Sequence, residues 1–199
     1  MAFLISKFIV WPFLKLFIKR IEGLENIPDK PSLIVSSHSS LIDGVILLFL
    51  LAWHKNKRAR AVVTKTEFTG LFWNMIFKWA GAIRVNGSVS KAVKVLKEGG
   101  HVIIFPEGGR TYTGEVSEAK KTGAGMIALL AKVPVVPVAM NTFSWWNRYQ
   151  KIPCFKRNIR IIIGKPMKFR AKPTKANAKK AVKEMMKKIK RLKNQIPFD

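Results

Sequence analysis

The chain has 199 residues, 48% of them hydrophobic, which is enough for one sizeable core and gives no sign of a second one. Lys and Arg total 37 against 11 Asp and Glu, and the resulting net charge of +26 requires an anionic partner. Six Trp and thirteen Phe accompany this charge without any nucleic-acid-reading motif, which favours an anionic membrane surface over nucleic acid. The single cysteine, Cys154, excludes an internal disulfide framework and is compatible with a reducing compartment.

Residues 1–20 are strongly apolar but are interrupted by Lys7, Lys15 and Lys19. On a helix these three lysines lie within an arc of about 120°, which leaves the remaining face apolar. The pattern predicts a helix that lies in the membrane plane and is kinked at Pro12. A transmembrane anchor and a soluble core helix remain alternatives. A linker rich in Gly, Asn, Pro and Asp follows, over residues 22–31.

A short run of apolar and β-branched residues at 32–37 predicts a buried strand, and a longer apolar run at 45–53 predicts a buried helix. His38 and Asp43 stand between these two elements. Residues five apart on a continuous helix point in different directions, so the two side chains meet only if a turn intervenes. Asp43 would then accept the Nδ1 proton of His38 and leave Nε2 as a base. Alternatively, Asp43 caps the helix and His38 is an ordinary loop histidine.

The middle of the chain alternates strands and helices. Residues 60–64 predict a strand that is followed directly by Lys65, and residues 88–97 predict a helix that starts at a serine and stops at two glycines. Between them lies an aromatic-rich stretch at 68–79, suited to an acyl-chain tunnel, to membrane contact or to the core. Residues 101–105 return as a strand.

The strand at 101–105 runs into the sequence Phe-Pro-Glu-Gly-Gly-Arg-Thr at 105–111. Gly108 and Gly109 allow the backbone to approach a ligand closely. Arg110 supplies a planar guanidinium suited to a phosphate group. A tight turn with an internal Glu107–Arg110 ion pair is the alternative interpretation.

The remaining elements are a helix at 117–132, a strand at 134–140, an aromatic loop at 143–149 that we expect to rest on lipid, and a last strand at 160–164. Pro137 lies inside the predicted strand at 134–140 and predicts an edge strand or a bulge. From residue 165 onward, 13 Lys or Arg accompany two acidic residues and an apolar stripe at helical spacing. This predicts a basic amphipathic helix that packs on the domain with its lysines towards anionic headgroups, or that docks into lipid.

The order of these elements predicts a single α/β domain with a mixed, largely parallel sheet flanked by helices. A membrane-interfacial helix precedes this domain and the basic amphipathic helix follows it. Polar residues that end parallel strands tend to collect at one edge of the sheet, where active sites form. We therefore expect the segment at 105–111 at this edge of the sheet.

The His-x4-Asp block at 38–43 and the block at 105–111 together resemble the signatures of the glycerolipid acyltransferase family, of the 1-acylglycerol-3-phosphate acyltransferase type. A third, proline-containing block of that family resembles residues 133–138, and the resemblance covers roughly residues 27–166. Together with the terminal helices predicted above, it divides the chain into a membrane-associating helix at 1–20, an acyltransferase domain at 21–170 and a basic C-terminal helix at 171–199. We expect the protein on the membrane, at its cytoplasmic face.

The resemblance further implies roles for individual residues. His38 and Asp43 would be the catalytic dyad. The implied contacts to the acceptor are Glu107, Gly108, Gly109, Arg110 and Thr111, with Lys65 as a phosphate contact. Gly87 stands where this family usually has a phosphate-binding arginine, and Arg84, three residues earlier, is the candidate substitute.

The implied reaction transfers an acyl chain from a thioester to the free hydroxyl of 1-acylglycerol-3-phosphate, without a bound cofactor or a metal. An acyl carrier protein or coenzyme A would carry the chain. The departure at Gly87 leaves another lysophospholipid or an aminolipid as alternative acceptors. From a different class, a non-catalytic basic domain that binds membranes or nucleic acid would explain the charge but not the ordered motifs.

Overall fold

A computed structural model describes residues 2–55, 59–63, 83–84 and 87–197, with five helices and seven strands among them. The helices are α1 (Ala2–Lys15), α2 (Ile42–Lys55), α3 (Ser88–Lys97), α4 (Gly123–Ala131) and α5 (Lys175–Lys193). The strands are β1 (Ile18–Glu22), β2 (Leu33–Ser36), β3 (Ala59–Val63), β4 (Ile83–Arg84), β5 (His101–Ile104), β6 (Val135–Met140) and β7 (Ile159–Ile163). A short 3-10 turn at Leu24–Asn26 links β1 towards β2.

The strands form one sheet in the order β1-β7-β6-β2-β5-β3-β4. Neighbouring strands run parallel except for the β6–β7 pair, which is antiparallel. The predicted α/β class with a mixed, largely parallel sheet is therefore confirmed. Every residue of β2, β5 and β6 is buried, as expected for continuous apolar strands that are covered on both faces.

Alternate residues of the central strands belong to two separate core clusters. Ile34 and Ile103 pack with α1 and α2, whereas Leu33 and Val102 pack with α3, α4 and α5. This is the alternation expected of side chains on the two faces of a sheet. The described residues therefore form three layers, with two of their helices on one face of the sheet and three on the other.

Helix α5 buries one stripe and exposes its lysines. The stripe consists of Ala178, Ala181, Val182, Met185, Ile189 and Leu192. Thr174 caps the helix by accepting a hydrogen bond from the backbone N–H of Asn177 at 3.2 Å. Close packing on α4 depends on Gly125, because a Cβ atom there would lie 2.1 Å from the carbonyl oxygen of Ala178. The apolar stripe thus packs on the domain.

Two predicted element boundaries were wrong, and so was the predicted place of Pro137 in the sheet. Residues 18–20, predicted as part of the N-terminal helix, belong to β1. This strand pairs with β7, which is distant in sequence. The helix predicted at 117–132 begins only at Gly123, because the residues before it turn back towards the site described below. The edge strand or bulge predicted from Pro137 was wrong, because β6 lies between β2 and β7 and its register with β2 is regular through Pro137. Pro137 lies opposite the end of β7, where Gly164 donates to its carbonyl oxygen at 2.8 Å.

Helix α1 packs Trp11 and Leu14 into the core and exposes Phe8, Ile9 and Phe13, and Leu16, directly after the helix, is also exposed. Within the described residues, no helix combines the length and the apolar character needed to cross a bilayer. The predicted aromatic loop at 143–149 likewise has both buried and exposed side chains, since Trp145 is buried and Tyr149 is exposed. Lys65 and the aromatic stretch at 68–79 lie outside the described residues.

Candidate active site

The candidate site lies at the carboxyl edge of the central sheet. Strands β2, β5 and β6 are parallel neighbours, so their last residues meet at this edge. The polar residues that follow them are His38 after β2, Glu107 after β5 and Thr142 after β6. Such an edge is where ligands bind in open α/β sheets.

His38 and Asp43 are brought together by the turn that precedes α2. The Nδ1 atom of His38 lies 3.0 Å from Oδ2 of Asp43, and the exposed fractions of the two side chains are 13% and 1%. Asp43 Oδ2 also accepts the backbone N–H groups of Ser39 at 2.7 Å and Ser40 at 2.8 Å. The Asp43 carboxylate therefore caps the turn before α2 and at the same time orients the imidazole of His38.

The other oxygen of Asp43 accepts a short hydrogen bond from the hydroxyl of Thr142, which also contacts the hydroxyl of Ser39 at 2.9 Å. A carboxylate with both oxygens engaged cannot rotate away from the imidazole. In a neutral imidazole, a proton on Nδ1 directed at this carboxylate leaves the lone pair on Nε2. The imidazole is also stacked on Phe105, with ring centroids 4.1 Å apart and planes 18° from parallel. The ring plane is thus fixed from two directions.

Glu107 connects the second motif to the first. Its Oε1 atom accepts the backbone N–H of His38 at 2.8 Å. Its Oε2 atom accepts the backbone N–H of Ser117 at 3.0 Å and the hydroxyl of Ser117 at 2.6 Å. The backbone N–H of Thr111 donates to the carbonyl oxygen of His38 at 2.8 Å. Both backbone polar groups of His38 are therefore held by residues of the 105–111 motif.

The Glu107 side chain is completely buried. Desolvation by this burial raises the pKa of Glu107 above its ordinary value of 4.5, and the hydrogen bonds from Ser117 and His38 act against the increase. Through these hydrogen bonds the Glu107 carboxylate acts as a brace, a buried group that holds two loops together inside the protein. Its partners are His38 and Ser117, and it joins two loops that are distant in sequence.

The rest of the 105–111 motif forms a turn at the same edge. Gly108 has φ = +73°, which favours glycine, and its N–H donates to the carbonyl oxygen of Phe105 at 3.0 Å. Gly109 borders open space, because a Cβ atom built there meets no atom within 4 Å. Arg110 is partly exposed, and its carbonyl oxygen accepts a long hydrogen bond from Nη1 of Arg148 at 3.4 Å. The guanidinium of Arg148 lies 3.7 Å above the ring of Tyr112.

The departure at Gly87 has a conformational basis. Gly87 precedes α3 with φ = +70°, a left-handed conformation that is costly for arginine. It occupies the N-cap position that the sequence pattern assigned to Ser88. The structure places Arg84 in β4, paired with Val63 of β3, and its side chain lies outside the described residues.

Sequence reasoning missed Thr142 and Ser117. Thr142 follows a buried strand directly, as His38 does, and this position was the available signal for it. Ser117 lies in a loop ten residues after Glu107, and no local pattern distinguishes it from other loop serines.

Comparison with known proteins agrees with this geometry. Residues 19–141 match the sequence model of a family described as Acyltransferase, a range that includes both the 38–43 and the 105–111 motifs. The chain belongs to this family.

Similar acyltransferases occur in plants and bacteria. The chain is 32% identical over 173 residues to the chloroplastic 1-acyl-sn-glycerol-3-phosphate acyltransferase LPAT1 of Arabidopsis thaliana, a match that covers 79% of this chain and 45% of that protein. It is 32% identical over 162 residues to the 1-acyl-sn-glycerol-3-phosphate acyltransferase of Pseudomonas aeruginosa, covering 74% and 58%. The chain thus spans about half the length of these two relatives. With the 1-acyl-sn-glycerol-3-phosphate acyltransferase of Bacillus subtilis it shares 28% identity, covering 89% of both chains.

Among solved structures, the 1-acyl-sn-glycerophosphate (LPA) acyltransferase PlsC of Thermotoga maritima has a similar fold. The TM-score is 0.68, and the match covers 92% of this acyltransferase and 76% of that chain. At 24% identity this similarity shows the fold alone.

Proposed function

We propose that this acyltransferase transfers an acyl chain from a thioester to the free hydroxyl of 1-acyl-sn-glycerol-3-phosphate and produces phosphatidate. The observation that carries the proposal is the fixed His38–Asp43 pair, 3.0 Å apart, at the carboxyl edge of a domain of the acyltransferase family. The names of the relatives support this acceptor.

In this proposal, Nε2 of His38 takes the proton of the acceptor hydroxyl as its oxygen attacks the thioester carbonyl. Asp43 stabilises the imidazolium that forms. The tetrahedral intermediate then collapses, its carbon–sulfur bond breaks, and His38 returns the proton to the departing sulfur. The ester and the free thiol are the products, so protons and electrons balance.

A serine nucleophile is disfavoured by the contacts of the three serines next to His38. Ser37 Oγ accepts the N–H of Met140 at 3.3 Å, Ser39 Oγ contacts Thr142, and Ser40 Oγ accepts the N–H of Ile42 at 3.3 Å. All three side chains are buried. These contacts favour direct attack by the acceptor hydroxyl over a covalent acyl-enzyme. An acyl carrier protein or coenzyme A is the proposed donor, and no bound cofactor is required.

The oxyanion needs a backbone donor that is not already engaged. The amides of Ser39 and Ser40 are occupied by Asp43. We therefore propose that Gly109, which borders open space in the turn that Gly108 closes, faces the substrate with its backbone. Arg110 is the proposed phosphate contact, with Lys65 and Arg84 as further candidates. Thr111 fixes this turn against His38 through its own backbone N–H.

The proposed membrane contact combines α1 with the loop at 149–155. The aromatic ring of Phe17 lies 5.3 Å from that of Phe13 in α1 and 5.7 Å from that of Phe155 in the loop. Phe17 therefore connects the two segments. The exposed apolar side chains are Phe8, Ile9, Phe13 and Leu16 on one side of this junction, and Tyr149, Ile152 and Phe155 on the other. With a net charge of +26, such a surface fits an anionic membrane, at its cytoplasmic face. We propose that residues 1–20 associate with the membrane, 21–170 perform the acyl transfer and 171–199 support that domain.

The test is acyl transfer by the detergent-purified protein with 1-acyl-sn-glycerol-3-phosphate as acceptor, and with acyl carrier protein and coenzyme A thioesters offered separately. We expect turnover with at least one donor, loss of turnover in His38→Ala, and wild-type turnover in His54→Ala, the matched control at the exposed end of α2. Binding of His38→Ala to anionic vesicles should be unchanged. Full activity of His38→Ala would refute the mechanism. If only other lysophospholipids were acylated, the acceptor would be wrong and the dyad would stand.

A further inference from the structure

The loop after β6 carries an arginine, Arg148, to the candidate site. Its guanidinium lies 3.7 Å above the ring of Tyr112, and its Nη1 atom donates to the carbonyl oxygen of Arg110 at 3.4 Å. That carbonyl and the N–H of Thr111 belong to one peptide group, and this N–H donates to the carbonyl oxygen of His38 at 2.8 Å. Because a single peptide group joins the two contacts, Nη1 of Arg148 lies within about 9 Å of the His38 oxygen.

Side-chain hydrogen bonds hold the loop that presents Arg148. The loop starts next to Thr142, whose hydroxyl donates to Asp43. Further along, the side-chain oxygen of Asn147 accepts the backbone N–H of Tyr149 at 2.9 Å, which closes a turn around the arginine. The backbone of Arg148 is therefore connected to the catalytic carboxylate at the start of its own loop.

The Arg148 side chain has the properties of an anion-binding group. It is exposed, and in the described part of the chain no carboxylate forms an ion pair with it. The ring of Tyr112 covers one face of the guanidinium, and a contact of this kind does not use the N–H groups in the guanidinium plane. One of these groups donates to the carbonyl oxygen of Arg110, and the others can donate to a ligand.

The acceptor of the proposed reaction needs such a group. A phosphate monoester carries between about one and a half and two negative charges near pH 7 and offers three acceptor oxygens. In 1-acyl-sn-glycerol-3-phosphate the phosphate and the free hydroxyl are on adjacent carbons. The phosphate must therefore bind within a few ångströms of the hydroxyl that His38 deprotonates, in the region that Arg148 reaches.

Arg148 also lies on a different side of the site from the family's second arginine. The position of that arginine is taken by Gly87, which follows β4 and has a left-handed backbone that disfavours a side chain. In the sheet, β4 lies on one side of β2 and β6 lies on the other. The loop after β6 thus brings a guanidinium to the site from the opposite direction.

We propose that Arg148 binds the phosphate of the acceptor together with Arg110, and that Tyr112 positions the Arg148 guanidinium for this contact. The inference rests on the proposed function, because it names a phosphate-binding residue for the same site. Two guanidinium groups match the three oxygens and the double charge of a phosphate monoester better than the two oxygens and single charge of a phosphodiester head group. Arg148 would therefore favour lysophosphatidate over lysophospholipids with a larger head group.

The test measures binding in the detergent-purified full chain without an acyl donor. The ligands are 1-acyl-sn-glycerol-3-phosphate and 1-acylglycerol, which has the same hydroxyl but no phosphate. In Arg148→Gln we expect the Kd for the phosphate ligand to rise about tenfold or more, the scale of one hydrogen bond between charged groups, and the Kd for 1-acylglycerol to change much less. In turnover assays the loss should appear in KM more than in kcat.

Two further variants separate the charge of Arg148 from its position. Arg148→Lys keeps the charge but loses the planar donors, so its Kd should lie between those of the wild type and Arg148→Gln. Tyr112→Leu removes the ring that holds the guanidinium and should raise the Kd by a smaller factor than Arg148→Gln. Arg170→Gln is the matched control, since Arg170 is exposed and lies near Met167, which pairs with the first residue of β6 at the opposite edge of the sheet. It should bind both ligands as the wild type does.

Equal affinities of Arg148→Gln and Arg170→Gln for the phosphate ligand would overturn the proposal. An equal loss of affinity for both ligands in Arg148→Gln would also overturn it, because Arg148 would then support the loop without binding phosphate. If the wild type bound 1-acyl-sn-glycerol-3-phosphate but acylated none of it, the proposed function would be wrong. The comparison of dissociation constants would still decide the role of Arg148.

Discussion

Replacing Glu107 with glutamine tests the idea that this buried carboxylate braces the catalytic loop. The glutamate offers two acceptor oxygens, one to the backbone N–H of His38 and the other to the N–H and hydroxyl of Ser117. Glutamine has the same shape but only one acceptor oxygen. In either orientation of its amide, an NH₂ group faces a backbone N–H in the protein interior.

Two effects of opposite sign set the size of the change. A hydrogen bond to a charged group contributes about 1.5–3 kcal/mol, and a buried donor left unpaired costs about 1–3 kcal/mol. Glutamine also removes the cost of burying a charge, which is the effect that raises the pKa of Glu107. If the relief of the buried charge offsets the lost charged hydrogen bond, the cost of the unpaired donor remains, a net destabilisation of about 1–3 kcal/mol. For a chain of this length, such a loss lowers the melting temperature by roughly 2–12 °C.

The measurements are thermal unfolding and acyl transfer for the same preparations. We expect Glu107→Gln to lower both the melting temperature and the turnover, because the backbone of His38 loses a fixed partner. Glu118→Gln, an exposed glutamate in the same loop, is the matched control and should change neither. A melting temperature equal to that of the control would refute the brace. Loss of turnover with unchanged stability would instead indicate that Glu107 contacts the substrate, the role implied by the family resemblance.

Three further substitutions test other parts of the site. Asp43→Asn keeps an acceptor for His38 but removes the charge that stabilises the imidazolium, so kcat should fall by roughly 10²–10⁴ in a folded protein, and a near-normal kcat would contradict the dyad. Thr142→Val removes the hydroxyl that holds Asp43, which should lower kcat about tenfold, equivalent to about 1.4 kcal/mol; an unchanged kcat would show that the other donors suffice. Gly87→Arg places a side chain at φ = +70° and should cost about 1–2 kcal/mol in a denaturant titration, with Gly87→Asn costing less. Equal losses would exclude the conformational explanation for this glycine.

Local patterns in the sequence predicted much of this protein. The continuous apolar runs of β2, β5 and β6 indicated buried strands, because a strand covered on both faces has no polar side. The apolar stripe of α5 has helical spacing and is buried as that spacing predicts. Local patterns fail where an element depends on a remote partner. For that reason the local pattern predicts a helix over residues 18–20, which belong to the short, charged strand β1. Parallel pairing with β7 stabilises these residues as a strand.

The candidate site likewise contains contacts that a local pattern can predict and contacts that depend on remote partners. The five-residue spacing of His38 and Asp43 allowed their contact if a turn intervened, and the turn that brings them together is a local event. The contacts of Glu107 with the backbone of His38 and of Thr142 with Asp43 join residues 69 and 99 positions apart. Nothing in the neighbourhood of either residue specifies such a partner. It follows from the order in which parallel strands bring their carboxyl ends to one edge.

The sequence by itself determined the fold class, the two motifs, the turn that joins His38 to Asp43 and the amphipathic character of α5, because each is encoded within a few residues. The tertiary structure alone decided that β1 is a strand, that Glu107 is a buried brace and that the guanidinium of Arg148 contacts the backbone of Arg110. These features depend on which surfaces meet when the chain packs. That choice is made by the burial of the whole core, and no single segment contains it.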